Sequence, residues 1–129
     1  PILTGAHNDG PLMAHLINAS QFHRLEDKAF TLSIKKKRDN CVMLKDNSIF
    51  LVKNIVRLHK ELFLVGNNFK SVNLQQSYPC ASSILNIYVA MNESTDLKCI
   101  PYKDIFSKCV KIPKADTEFL ILPLLHGKD

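Results

Sequence analysis

The stretch "CVMLKDNSIFLVKNIVRLHKELFLVG", residues 41–66, sets the architecture of this chain. Three apolar runs are separated by two short polar breaks. Asp46-Asn47, flanked by apolar residues, predicts a tight hairpin turn, because Asp and Asn tolerate the positive φ that such turns need. Leu58-His59-Lys60 predicts a second turn, after which "ELFLVG" returns and Gly66-Asn67-Asn68 ends the run. Between the breaks, Ile49, Leu51 and, after Lys53, Ile55 share one face of a strand, while Phe50, Val52 and Val56 fill the other. A strand apolar on both faces belongs in the middle of packed layers.

The same period of two extends outward. In "FTLSI", residues 30–34, Phe30, Leu32 and Ile34 lie on one face. Downstream, residues 70–83 are polar and turn-like around Pro79. "ILNIYVAM" is a strand that ends at Asn92 to Asp96. "LKCIPY" is a short strand cut by Pro101. "KDIFSKCVKI" starts as one helical turn and becomes strand at Cys109 to Ile112. Pro113 to Thr117 turns, and "EFLILPLL" is a last strand. Seven or eight short strands at even spacing predict an all-β (minor α) fold, a small barrel or sandwich over residues 29–129. Residues 1–28 differ, with three histidines, two glycines and two prolines. Asp9 caps and Pro11 starts a short helix in this reading, with Leu12, His15 and Leu16 on one face, so the segment is expected to be an arm.

The 129 residues make one domain, expected to be a piece of something larger because the chain opens at Pro1. No run approaches the ~18 apolar residues of a membrane helix, so no membrane partner is expected. Seventeen Lys and Arg against 12 Asp and Glu give a formal charge of +5, a mild bias toward acidic partners. Cys41, Cys80, Cys99 and Cys109 form no C-x-x-C pair, and each adjoins apolar sequence, so reduced thiols in an intracellular protein are expected. The sequons Asn18-Ala19-Ser20 and Asn92-Glu93-Ser94 point the other way, but such triplets recur by chance.

Most catalytic chemistry lacks its parts. Zinc on Cys80, Cys99, Cys109 and His126 is disfavoured, since structural sites draw ligands in close pairs from one turn. Cys80 with His126 or His59 has no orienting group in a recognisable context. No glycine spacing fits a phosphate loop. Apart from Glu26-Asp27, the acids are scattered at turns. No enzyme, metal or cofactor is expected.

The run Lys35, Lys36, Lys37 and Arg38 stands directly before the first hairpin. It reads as a solvated strand connection that keeps an edge soluble, as a nuclear import address, or as a phosphate-contacting patch. If the hairpin brings Lys53 and Arg57 beside it, with Lys60, a basic face for nucleic acid results.

In residues 39–112, "DNCVMLKDNSIFLVKNI" and "IPYKDIFSKCVKI" resemble bromo-adjacent homology (BAH) domains, where a strand and hairpin open the module and an isoleucine precedes a Lys-Cys-Val-like strand, here Ile105 and Lys108 to Val110. The elements "YPCASS", "KCV" and "PLLH" are similar to the C-terminal β-rich region of animal proteins, some related to mobile elements. The resemblance implies a β-barrel interaction module. A methyl-lysine reader of that kind needs an aromatic cage, for which Phe69, Tyr78, Tyr88, Tyr102 and Phe106 are the available walls in a chain without Trp.

The expectation is therefore a non-catalytic protein–protein interaction module, nuclear, within a chromatin-associated or mobile-element-derived protein. Its partner is another protein, a chromatin component or a second copy, engaged by the arm or by a strand edge. The alternative is a nucleic-acid-binding domain using residues 35–38 and 53–60.

Overall fold

The computed structural model describes residues 1–74 and 87–124. Ten strands run through them: β1 Ile2–His7, β2 Ser20–Glu26, β3 Thr31–Ser33, β4 Cys41–Leu44, β5 Ile49–Leu58, β6 Glu61–Leu74, β7 Tyr88–Glu93, β8 Lys98–Pro101, β9 Ile105–Ala115 and β10 Glu118–Pro123. Every pairing among them is antiparallel. The all-β reading holds, and no helix among the described residues is long and apolar enough to cross a membrane.

Pairings β5–β4–β9–β10–β7–β6 return to β5 and close a six-stranded ring. A second sheet, β1–β2–β5–β6–β8, grows from the same central hairpin, with β3 beside β2. β5 serves both: Ile49 to Leu51 pair with β4, and Ile55 to Arg57 pair with β2. β6 does likewise, with Phe63 to Gly66 on β8 and Phe69 to Leu74 on β7. Both predicted turns form. Asn47 has φ 70° and His59 φ 60°. The Leu44 N–H donates to the Ser48 carbonyl at 2.9 Å, and Leu58 stands opposite Glu61.

The face assignment along β5 changes at a β-bulge between Val52 and Asn54. One extra residue reverses the in-out phase beyond it. Ile49 and Leu51 enter the barrel core with Cys41, Met43, Phe69, Ala90, Cys109 and Ile121. Phe50 and Val52 are joined by Ile55, not Val56, in a second core with Leu25, Leu32, Val42 and Leu64. Val56 moves to a third cluster with Leu16 and Val65. Phe30, Leu32 and Ile34 do share one core, as their spacing predicts.

Gly66 lies opposite Val52 beside the bulge, and a Cβ there would stand 1.8 Å from the Leu51 carbonyl oxygen. Only a glycine permits that approach. β6 does not stop at Gly66-Asn67-Asn68 but continues to Leu74. The asparagine amides, which favour turns when they bond locally, are used at long range. Asn67 donates to the Asp96 carbonyl at 3.0 Å and Asn68 to that of Ile49 at 3.4 Å.

The expected arm is mostly sheet. β1 and β2 pair from Ile2↔Glu26 to His7↔Gln21, and β2 joins β5. The expected helix is a single 3-10 turn, Ala14–Leu16, whose Leu16 is wholly buried. A buried amide network holds the loop between β1 and β2. Asn54 Nδ2 donates to the Pro11 carbonyl at 3.0 Å and to Gln21 Oε1 at 2.9 Å, and Gln21 Oε1 also accepts the Gly10 N–H at 3.0 Å. Asn54 Oδ1 accepts the Ile55 N–H at 3.0 Å, so the bulge and the loop are fastened together.

Candidate binding groove

The tip of the β5–β6 hairpin projects past β2 and meets the end of β8. Between them lies an open groove of about 470 Å³, within the ~300–1,000 Å³ range usual for ligand sites. Leu3 comes from β1, Arg57 from β5, Leu62 and Phe63 from β6, and Pro101, Tyr102 and Lys103 from β8 and the 3-10 turn after it. Lys60 and Glu61 complete the rim at the hairpin tip. The floor is apolar because Leu3 and Leu62 rest against the second core.

Two contacts hold the rim in shape. The Arg57 guanidinium lies 5.5 Å from the centroid of the Phe22 ring, a cation–π distance. The Tyr102 hydroxyl donates to the Asp27 carboxylate and ties the 3-10 turn to the end of β2. Burial, and then this carboxylate, push the Tyr102 hydroxyl pKa well above its ordinary value. The hydroxyl in turn holds the Asp27 carboxyl below the usual range. Tyr102 is therefore a neutral, fixed wall at physiological pH.

The basic residues singled out in the sequence divide into two groups. Lys35 to Arg38 form the exposed connection between β3 and β4. It is a pair of turns in which the Asp39 N–H donates to the Lys36 carbonyl at 2.9 Å. Lys36 to Asp39 border a depression of their own, of about 570 Å³. Lys53, at the bulge, meets Glu93 at 3.0 Å. Lys37 and Lys53 both act on Lys111, whose pKa is lowered chiefly by burial and further by these cations; its Nζ stands 5.1 Å from the Phe119 centroid. Arg57 and Lys60 instead line the groove, where Lys103 joins them. Lys103 was not foreseen, because it is remote in the chain from the hairpin.

The aromatic candidates do not converge. Phe69 and Tyr88 belong to the barrel core, with Phe69 5.8 Å from Phe119. Tyr102 lines the groove, and Phe106 projects from β9 at 58% exposure. Tyr78 lies outside the described residues. The described candidates come from four different elements and fall in three surroundings.

Cys41 and Cys109 face each other across β4 and β9 inside the barrel. A hydrogen bond that the Cys41 thiol donates to the Cys109 sulfur, and then burial, push the Cys41 thiol well up. Cys99 is in the third cluster, pushed up by burial. Cys80 and His126 lie outside the described residues, and among the described residues no group of three His, Cys, Asp or Glu side chains is placed to hold a metal ion.

One cluster was not anticipated. The His7 and His23 rings stack at 4.1 Å between centroids, and Asp9 lies 3.0 Å from His7 Nδ1. The cross-strand register of β1 and β2, invisible while the segment was read as an arm, creates the pair.

No curated protein matches the chain, and no solved structure does. A family model does match, over residues 6–124, and the chain belongs to that family, which is described as a domain of unknown function (DUF8592).

Proposed function

We propose that this domain is a non-catalytic protein-binding module that takes a segment of a partner into the groove at the β5–β6 tip. The observation that carries the reading is the groove itself: an apolar floor open to solvent, flanked by strands β1 and β8, which pair on one side only among the described residues. An unpaired edge beside an apolar trough is a docking arrangement. The larger setting follows the BAH-like and mobile-element-like resemblance: a nuclear, chromatin-associated or mobile-element-derived protein. The test is quantitative capture of a purified chromatin or nuclear partner by the wild-type chain and by Leu62→Glu. Loss of capture with Leu62→Glu and retention with a 35–38 alanine variant supports the reading. Equal capture by both variants removes it.

A second reading, nucleic-acid binding, draws on the exposed run Lys35 to Arg38 and on Lys37 and Lys53, which both act on Lys111. Phosphate contacts make affinity fall steeply with salt. A salt titration with single- and double-stranded oligonucleotides, on wild type and on a 35–38 alanine variant, separates this from an apolar protein interface.

A further inference from the structure

The rim of the groove carries charged side chains, and its flanks are strand edges. This inference rests on the protein-binding reading above. Arg57, Lys60 and Lys103 stand around the floor against a single acid, Glu61. None of the three cations forms an ion pair among the described residues, whereas Lys53, Lys108 and Lys114 do. The rim is thus net positive and free of ion pairs among the described residues, with Arg57 steadied on the Phe22 ring, above an apolar bed of Leu3, Leu62, Phe63 and Pro101.

The two flanking edges are unequal. β8 ends in Pro101, which has no N–H to donate. β1 has no proline from Ile2 to His7 and, among the described residues, pairs only with β2. Its Gly5, at φ 74°, breaks the regular strand, which leaves Ile2 to Thr4 as the straight part of the edge. At ~3.3 Å per residue, three residues offer about 10 Å of pairing.

We propose that the groove binds a short, extended, acidic segment of a partner protein, laid as an added strand along Ile2 to Thr4. Alternate apolar side chains of the segment enter the floor. The intervening Asp or Glu side chains lie level with the rim, within reach of Arg57, Lys60 and Lys103. A neutral segment gains the floor only, and a basic one is repelled.

The probe is a fluorescein-labelled eight-residue peptide alternating Glu with Leu or Phe, compared with isosteres carrying Gln or Lys in place of Glu. Anisotropy titrations on the full chain are paired with backbone amide shifts. The Glu peptide is expected to bind about tenfold tighter than the Gln peptide, the sum of several exposed charge contacts. Its shifts should centre on Leu3, Leu62 and Lys103. Lys60→Glu with Lys103→Glu, both exposed and remote from the core, should abolish the preference and admit the Lys peptide. Methylating alternate peptide nitrogens should weaken binding if a strand is added.

Equal affinity for the Glu and Gln peptides overturns the charge selection. Indifference to N-methylation overturns the strand geometry. Shifts confined to another surface overturn the site yet leave a protein-binding module standing. No peptide binding at all, with salt-sensitive oligonucleotide binding instead, removes both this inference and the reading beneath it.

Discussion

The two halves of the β5–β6 hairpin live in different surroundings. Toward the Ile49 end the hairpin is two staves of a closed ring whose inward side chains are mainly apolar or thiol, with the buried Ser107 and Asn67 among them. Toward His59 it is the middle of an open sheet whose interior includes a buried amide network, stacked imidazoles and a tyrosine–carboxylate bond. A closed ring has no free edges and little need of polar fasteners. An open sheet has both, and it is the half that carries the groove with its exposed rim.

Several substitutions break or sharpen this contrast. The largest effect is expected from Gly66→Ala. A methyl at 1.8 Å from a carbonyl cannot be accommodated without parting β5 from β6, which both halves share. Loss on the order of 4 kcal/mol or more, or failure to fold, should appear in urea denaturation. Next, Leu51→Ala inside the barrel should cost about 3 kcal/mol, against about 1 kcal/mol for Leu62→Ala on the half-exposed groove floor. Similar losses at both sites would refute the division. Third, Asn54→Ala strands Gln21, the Pro11 carbonyl and the Ile55 N–H, at about 2 kcal/mol. Hydrogen exchange should then quicken in β1 and β2 while β4 and β9 stay protected.

The smallest effect is expected from acid. Burial, then His7, then Lys35 lower the His23 pKa, and Asp9 opposes them only weakly. A lowered histidine pKa means that the unfolded chain takes the proton first. Stability is therefore complete above the ordinary value of 6.5 and declines as pH falls below it toward the folded pKa. Thermal midpoints should drop modestly from pH 7.5 to 5.5, and His23→Gln should flatten that slope. A wild-type midpoint that rises on acidification contradicts the assignment.

What the sequence disclosed and what it concealed follow from range. The Asp46-Asn47 and His59-Lys60 turns are local chemistry, so the hairpins on either side of β5 were legible. The pairing of Cys41 with Cys109 and the sharing of β6 between two sheets are long-range, and nothing within a short window carries them. The bulge after Val52 was hidden because its cause, Gly66, stands on the opposite strand. Residues 20–26, "SQFHRLE", are a strand in which the buried positions are Gln21 and Leu25 and the rest are polar or charged apart from Phe22, so the apolar alternation was too faint to read. Of the groove, Arg57, Lys60 and Tyr102 were named in advance. Leu3 and Lys103 were not, since the site is assembled from three separated parts of the chain.

The face-to-face thiols of the barrel have a practical consequence. Cys41 and Cys109 sit where reagent cannot reach, and the Cys41 thiol is held far from its nucleophilic ionised form. Alkylation of that pair must wait until the ring comes apart. Its rate in native buffer is then a stopwatch for barrel opening, wound into the chain itself, while the half-exposed Cys99 keeps separate time for the open sheet.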